Sequence, residues 1–197
     1  MKLIEIQKID KLYFGHEEIA RILGISEASS RVTASRYAKK GLLLRIKKNM
    51  YVLRERWIAA EKEEKFLLAN LAQTPSYISL ATALDFYELT TQIQRNFFES
   101  VALKRTKRID INCNSFRNSK ITSRLYGVFK KEKDVFIATP EKALLDALYL
   151  MSYGRYALDL SAIDPKKIDE NELMRLSKEF PVRTRDMLKR HGYLSAA

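Results

Sequence analysis

The sequence predicts an α+β protein, and three features of the 197 residues indicate that class. Residues 1–40 carry apolar side chains at the three- and four-residue spacings of amphipathic helices. Residues 97–138 contain short apolar runs, with the alternation typical of strands clearest in Ile109–Cys113. Residues 140–151 return to a nearly continuous apolar helix. We expect two domains, residues 1–55 and 56–197, with residues 56–75 as a linking helix.

The first domain is predicted to begin with three helices, at residues 1–14, 17–23 and 27–40. Gly15 ends the first helix. Gly24 follows the second helix as a turn residue, because glycine reaches positive φ without steric cost. Ser26 is a favourable N-cap for the third helix, and Gly41 is a favourable stop for it.

A β-hairpin is predicted to follow, with strands at residues 42–46 and 50–53. Its tip is Lys47-Lys48-Asn49, where asparagine tolerates positive φ better than most residues. Three helices and a hairpin in this order have the outline of a winged helix-turn-helix, which places its last helix in the major groove of DNA.

The charge of the chain indicates a polyanionic partner. The formal net charge is +12, from 36 Lys and Arg against 24 Asp and Glu. Nine basic residues and one acid, Glu55, lie between Arg31 and Arg56. Nucleic acid is the leading partner and a membrane surface the lesser one. We expect no membrane partner of the spanning kind, because no apolar run approaches the roughly 20 residues required.

The third helix has two usable faces, and periodicity alone does not choose between them. Gly24-Ile25-Ser26, followed by Tyr37 and Gly41-Leu42, resembles winged-helix repressors of the MarR type. That resemblance implies that Tyr37 packs inward and that Ser29, Arg31, Ser35 and Arg36 face the groove, where hydroxyls and arginines suit base edges. The predicted phosphate-binding set is Lys39, Lys40, Arg45, Lys47 and Lys48. The alternative for the third helix is a solvated basic helix on a protein-binding domain. The alternative for the hairpin tip is a charged surface turn without a partner.

The second domain is predicted to contain an antiparallel sheet of three to five strands. The expected strands are residues 97–104, 108–112, 123–129 and 135–138. Helices are expected at residues 79–87, from Thr139 with Pro140 at its first position, from Asp169 to Phe180, and from Pro181 to about Arg190. A basic strip is formed by Lys104, Arg105, Lys107, Arg108, Arg117, Lys120 and Arg124. Three interpretations of this strip are open. It extends the surface that contacts DNA, it opposes an RNA-directed toxin, or it is only a solvated surface.

Two segments carry a resemblance to a known family. YISLATALDFYELTTQI at residues 77–93 and VFIATPEKALLDALYL at residues 135–150, together with the basic wing, resemble the AbiEi antitoxin family over about residues 5–155. The wing differs in one respect, since such proteins usually carry Arg-Gly where this chain has Lys48-Asn49.

The resemblance implies a bacterial antitoxin that represses its own operon by binding promoter repeats as double-stranded DNA. It also implies a C-terminal domain that counters a nucleotidyltransferase-like toxin, in a toxin–antitoxin pair linked to abortive infection and phage defence. In such systems protection does not require a tight toxin–antitoxin complex. The alternative is a winged-helix repressor whose C-terminal domain senses a ligand or dimerises, with no toxin partner.

We expect no enzymatic activity, no cofactor and no metal, in a soluble cytoplasmic protein. Asp110, Asp134 and Glu141 form no recognisable metal-binding motif. The two histidines, His16 and His191, are too few for a histidine-built metal centre. The single cysteine, Cys113, is expected to be a small buried hydrophobic residue in a strand.

Overall fold

A computed structural model describes residues 2–193 and has the predicted α+β class. It divides into two compact units, one comprising the chain up to Leu68 with Ile111–Cys113 and the other Ala69–Asp110 with the chain from Asn114 onward. The division lies inside a helix, whereas the sequence predicted a boundary near residue 55. Within residues 2–193, no helix combines the length and the apolar character needed to cross a membrane.

The first unit contains helices and a two-stranded hairpin. Its elements are α1 (Lys2–Gln7), α2 (His16–Leu23), α3 (Glu27–Lys39), β1 (Leu43–Lys47), β2 (Met50–Leu53), α4 (Arg54–Ala59) and the first part of α5 (Lys62–Ala72). Ile6, Ile19, Tyr37 and Leu43 belong to its buried apolar core, so α1, α2, α3 and β1 each contribute a face to one cluster.

The first helix is shorter than predicted. It ends at Gln7 instead of continuing to residue 14. Phe14 is extended and exchanges backbone hydrogen bonds with Tyr51 of β2, at 3.0 and 2.9 Å. Ile9 and Phe14 are both buried in the core. The predicted helix up to residue 14 is therefore wrong beyond Gln7, and two of its apolar residues, Ile4 and Tyr13, are exposed rather than buried.

The predicted linking helix is two helices, α4 and α5, separated at Ala60 and Glu61. The carboxylate of Glu64 accepts a hydrogen bond from the backbone N–H of Glu61 at 3.1 Å, which satisfies a donor at the start of α5. Glu64 also forms an ion pair with Arg56 of α4. The charged stretch that looked like a helix interior thus forms a helix start.

The second unit is built on a six-stranded sheet. Its strands are β3 (Ser76–Ile78), β4 (Phe97–Ala102), β5 (Lys107–Ile111), β6 (Asn114–Lys120), β7 (Phe129–Glu132) and β8 (Val135–Ala138), in the order β5-β6-β4-β3-β8-β7. Its helices are the end of α5, α6 (Leu80–Phe86), α7 (Pro140–Ser152), α8 (Glu170–Ser177) and α9 (Val182–Arg190). β3 pairs in parallel with β8, and β4 with β6. The prediction of an antiparallel sheet was therefore wrong, because the sheet is mixed.

The predicted strand at residues 123–129 is wrong. Ser123–Leu125 is a single turn of 3₁₀ helix, and β7 begins only at Phe129. β6 was missed because its buried positions include Asn118 and Ser119, which hide the usual alternation of apolar and polar side chains.

The helix starts of the second unit are confirmed where local capping determines them. The hydroxyl of Thr139 accepts a hydrogen bond from the N–H of Lys142 at 3.4 Å, and Pro140 is the first residue of α7. Asp169 caps α8 by accepting from the N–H of Glu172 at 3.1 Å. The last helix, α9, follows Pro181 as predicted.

A buried quartet of polar side chains joins β3 and α6 to α7, and consists of Tyr77, Ser79, Lys142 and Asp146. Lys142 and Asp146 form an ion pair with side chains that are 2% and 0% exposed. Tyr77 and Ser79 both donate hydroxyl hydrogen bonds to the Asp146 carboxylate, at 2.9 and 2.8 Å. Ser79 was expected to cap α6, but its side chain makes no cap bond and is committed to Asp146.

Burial disfavours the charged forms of the ionisable side chains in the quartet. Burial raises the pKa of Asp146, and it lowers the pKa of Lys142, because both charged forms are removed from water. The ammonium group also donates to the Tyr77 hydroxyl at 2.8 Å and lies 5.4 Å from the centre of the Phe180 ring. Breaking this pair on one side leaves a buried charge without its partner.

We predict that Asp146→Ala lowers the free energy of unfolding by about 3–5 kcal/mol, because it strands the Lys142 ammonium in the core. Urea denaturation followed by circular dichroism measures the change. The matched control is Asp134→Ala, which removes an exposed carboxylate paired with Lys131 and leaves the unfolding midpoint unchanged. Equal effects of the two substitutions would contradict the assigned role of the quartet.

Candidate nucleic-acid interface

The helix α3 separates its residues into a buried and an exposed face. Tyr37 and Ala34 are buried in the core, and the hydroxyls of Ser30 and Thr33 are buried beside them. These hydroxyls donate to the Glu27 and Ser29 carbonyl oxygens at 2.8 and 2.9 Å. The opposite side, which we call the α3 basic face, consists of exposed Ser29, Arg31, Val32, Ser35, Arg36 and Lys39.

The residues that flank α3 determine where this helix begins and ends. Gly24 has φ of 59°, and Ser26 caps α3 by accepting from the N–H of Ser29 at 3.2 Å. Gly41 ends the helix with φ of 70°, and the N–H of Leu42 bonds the Tyr37 carbonyl at 3.0 Å. All three turn predictions are confirmed. Tyr37 packs inward, and all four residues of the predicted groove set are exposed on one face.

The hairpin tip presents basic side chains beside α3. β1 and β2 pair in an antiparallel manner, with an irregularity between Arg45 and Lys47. Lys47 and Lys48 are exposed at the tip, and Asn49 has the expected positive φ, 55°. Lys39 and Lys40 at the end of α3 and Arg45 on β1 are exposed as well. The first unit therefore contains every predicted groove and phosphate residue.

The side chain of Asn49 anchors the tip to the start of α2. Its amide donates to both carboxylate oxygens of Glu17, at 2.7 and 2.9 Å. Its oxygen accepts from the backbone N–H of His16 at 2.7 Å and contacts the Nδ1 atom of the same residue. The backbone N–H of Glu17, followed by the Asn49 amide, lowers the pKa of the Glu17 carboxyl.

His16 connects this anchor to the α3 basic face. Its ring is buried, with 9% of the residue exposed. The Nε atom of Arg31 donates to Nε2 of His16 at 2.9 Å, and a terminal nitrogen of Arg31 donates to Glu27 at 3.2 Å. We call Glu17, Asn49, His16, Arg31 and Glu27 the His16 network. The sequence did not indicate this role for His16, because the contacts join positions that are distant along the chain.

Gly15 lies against the same network. A Cβ atom at this position would lie 2.2 Å from Oε2 of Glu17 and 3.1 Å from the amide of Asn49. A side chain at position 15 would therefore require the exposed Glu17 carboxylate to shift.

Two open depressions flank Arg31. The first is lined by Arg31, Val32, Ser35, Arg36, Lys39 and Lys40. The second is lined by His16, Arg31, Arg45, Lys48, Asn49 and Tyr51. Both are bordered by cations and suit an anionic ligand, and Arg31 is common to them. Val32 was not among the predicted site residues, yet it is 68% exposed and lines the first depression.

The basic strip lies in the second unit, and its members differ in their surroundings. Arg108 pairs with Asp110 at 2.9 Å, and Arg124 donates to the carbonyl of Glu179 at 3.1 Å. Arg117 is half-buried, donates to the carbonyl of Arg155 at 3.1 Å and lies 5.7 Å from the Tyr156 ring centre. Lys104, Arg105 and Lys120 are exposed. Several guanidinium groups of the strip thus have structural partners.

A buried carboxylate lies next to Arg117 of the strip. Glu99 is 2% exposed and accepts a hydrogen bond from the Tyr156 hydroxyl at 2.6 Å. Its second oxygen has no hydrogen-bond partner within the described residues. Burial raises the pKa of Glu99, and the hydroxyl of Tyr156 and the charge of Arg117 offset that effect only in part.

The remaining chemically reactive residues do not converge. Asp110 pairs with Arg108, Asp134 pairs with Lys131, and Glu141 accepts from the backbone N–H of Asp169 at 3.2 Å. Residues 2–193 contain no group of three or more His, Cys, Asp or Glu side chains arranged to hold a metal ion. The expectation for Cys113 was wrong, because this residue is exposed in the turn after β5, where it packs against no core.

Comparison with known proteins identifies a similar fold. No protein-family model matches the chain, and no curated protein matches its sequence. Among solved structures, the chain is similar to the RV2827C protein from Mycobacterium tuberculosis, with a TM-score of 0.58 and 10% sequence identity. The match covers 96% of this chain and 75% of that chain. At this identity the similarity concerns the fold alone.

We predict that Glu99→Gln raises the free energy of unfolding at pH 7 and has little effect at pH 4. The folded-state pKa of Glu99 lies above its ordinary value, so the native state loses stability as pH rises through that pKa. Removing the charge removes this loss. Urea denaturation at both pH values measures the change, and Glu88→Gln, an exposed substitution of the same chemistry, is the control. A destabilisation at pH 7 would contradict the prediction.

Proposed function

We propose that this protein is an antitoxin and DNA-binding transcriptional repressor that autoregulates its own toxin–antitoxin operon. One observation carries the DNA-binding half. The α3 basic face, with its buried side packed in the core, stands next to a hairpin tip that presents two exposed lysines. In this proposal the first unit is a winged helix-turn-helix, with α3 as its recognition helix and the hairpin as its wing.

The proposed contacts divide into two classes. Ser29, Arg31, Ser35 and Arg36 would read base edges in the major groove, where arginine pairs with guanine and hydroxyls bond to several bases. Val32 would add an apolar contact suited to a thymine methyl group. The phosphate contacts would come from Lys39, Lys40, Arg45, Lys47 and Lys48. Phosphate contacts set register and affinity, whereas base contacts set specificity.

The antitoxin half is supported by the resemblance to the AbiEi family. The two segments that carry this resemblance supply the buried quartet, because Tyr77 and Ser79 come from one and Lys142 and Asp146 from the other. The quartet is too buried to meet a substrate, so its role in the proposal is to hold the second unit in shape. That unit would counter a nucleotidyltransferase-like toxin, and the basic strip would be the surface that opposes an RNA-directed activity.

Fluorescence anisotropy tests the DNA-binding half. We predict that the full chain binds the DNA upstream of its own gene at least about a thousandfold more tightly than scrambled DNA at physiological salt. Weak binding that is equal on both sequences and disappears with salt would contradict a specific repressor. It would leave only sequence-independent attraction to polyanions.

Two variants separate the proposed contact classes in the same assay. Arg36→Lys keeps the charge but loses bidentate base recognition, and we expect discrimination to fall by about 1–3 kcal/mol with the salt slope retained. The double variant Lys47→Ala, Lys48→Ala is expected to weaken binding to all DNA and flatten the salt slope. Arg175→Ala, a charge removed from α8, is the control and should change neither quantity. Unchanged affinity and slope in the double variant would reject the wing assignment.

The two proposed activities should be separable in cells. We predict that Arg36→Lys derepresses a reporter driven by the chain's own promoter but still restores growth when co-expressed with the neighbouring toxin gene. Alanine at Lys104, Arg105 and Lys120 together should show the converse, because these exposed residues belong to the second unit. If the wild-type chain represses the reporter but never restores growth, the antitoxin half is wrong and a repressor without a toxin partner is favoured.

A further inference from the structure

We propose that His16 is a positioning residue for Arg31, and that protonation of its imidazole releases Arg31 and reduces discrimination between DNA sequences. This inference rests on the DNA-binding function proposed above and adds its regulation. The observation behind it is the bond from Arg31 Nε to His16 Nε2, 2.9 Å long, between a buried ring and an exposed side chain of the α3 basic face.

The hydrogen bonds around His16 define its tautomer. The Asn49 amide nitrogen faces two oxygens of Glu17, and an ionised carboxylate only accepts, so the NH₂ group must lie on that side. The oxygen of Asn49 therefore faces His16, and Nδ1 must carry a proton to donate to it. A neutral imidazole with a proton on Nδ1 has its lone pair on Nε2. That lone pair is what the guanidinium of Arg31 requires.

Protonation changes this contact from attraction to repulsion. In an imidazolium both ring nitrogens are donors, so Nε2–H would point at the N–H of Arg31. Two positive groups would then lie at hydrogen-bond distance. The other contact of Arg31, to Glu27, is on the exposed surface and holds the side chain only weakly. Arg31 would leave the position in which the ring had held it.

Charged groups of both signs surround the ring. On its own helix, Glu17 lies 3.4 Å from Nδ1, and on α3 the carboxylate of Glu27 lies 3.8 Å from Nε2. Arg31 and two hairpin cations line the same depression, and the phenol of Tyr51 completes the lining. The cations of the hairpin are Arg45 and Lys48.

The two protonation states should differ in specificity more than in affinity. An added positive charge at the depression strengthens binding to any DNA phosphate, whatever the sequence. A displaced Arg31 weakens only contacts that depend on its position, which are those to base edges. The ratio of the dissociation constants for scrambled and promoter DNA isolates the second effect, because the added charge affects both constants alike.

The experiment measures that ratio by fluorescence anisotropy at constant ionic strength, at about pH 5.5 and about pH 7.5, which bracket the usual titration of histidine. For the wild-type chain we expect the ratio to be about tenfold or more lower at the acidic pH, as for the loss of one base contact. His16→Gln supplies an acceptor that does not titrate, so its ratio should stay high at both pH values. His16→Ala should give a low ratio at both.

The control is Glu88→Gln, an exposed substitution in the second unit that should leave the ratio and its pH dependence as in the wild type. A wild-type ratio that is well above one and does not change with pH, or a His16→Gln variant as pH-dependent as the wild type, overturns the inference. The His16→Gln and His16→Ala variants are first compared with the wild type by thermal melting. The glutamine variant keeps the test decisive if the alanine variant fails to fold.

A second measurement needs no DNA. Long-range ¹H–¹⁵N correlation spectra of the free protein distinguish the two neutral tautomers, and we expect a proton on Nδ1 of His16 at neutral pH. A proton on Nε2 would overturn the positioning of Arg31 alone. A wild-type ratio of one at every pH would instead overturn the DNA-binding function, so failure of the inference and failure of the function give different results.

Discussion

The packing of the second unit depends on a buried lysine, Lys142. The ammonium of Lys142 has no access to water, so it requires both the charge of Asp146 and the hydroxyl of Tyr77. These requirements fix α7 against β3, the strand that lies between β4 and β8 in the sheet. Ser79 is drawn into the same cluster, and the next residue, Leu80, has φ of 59° although it is not glycine. The surrounding packing must hold that conformation, since it costs free energy on its own.

The sequence was informative wherever a local contact determines structure. Ser26, Gly41 and Thr139 act within four residues of their partners, so the limits of α3 and the start of α7 followed from single side chains. The sequence was misleading where distant contacts decide. Residues 1–14 were predicted to be one helix, but Phe14 is extended because it pairs with Tyr51. β6 carries buried Asn118, which no rule of alternation anticipates.

The candidate site shows the same division. The exposed side of α3 followed from its pattern and from the resemblance that places Tyr37 in the core. The His16 network did not, because it joins a histidine to an arginine 15 positions away and to an asparagine 33 positions away. Glu17 and Glu27 are acids at the starts of α2 and α3, where helix dipoles favour negative charge. Because that position already explains both acids, nothing in the sequence indicated that they also bind Asn49 and Arg31.

The anchored hairpin tip has a thermodynamic consequence. Glycine at position 49 would allow the same positive φ, but it would leave the tip without side-chain bonds to α2. Asparagine gives this chain both the turn and two fixed partners, Glu17 and His16. The backbone of the tip has therefore already lost much of its conformational entropy before any partner arrives. Little further ordering is required on contact, so a ligand that fits the tip binds without that loss, whereas a ligand that needs a different tip must first break the anchor.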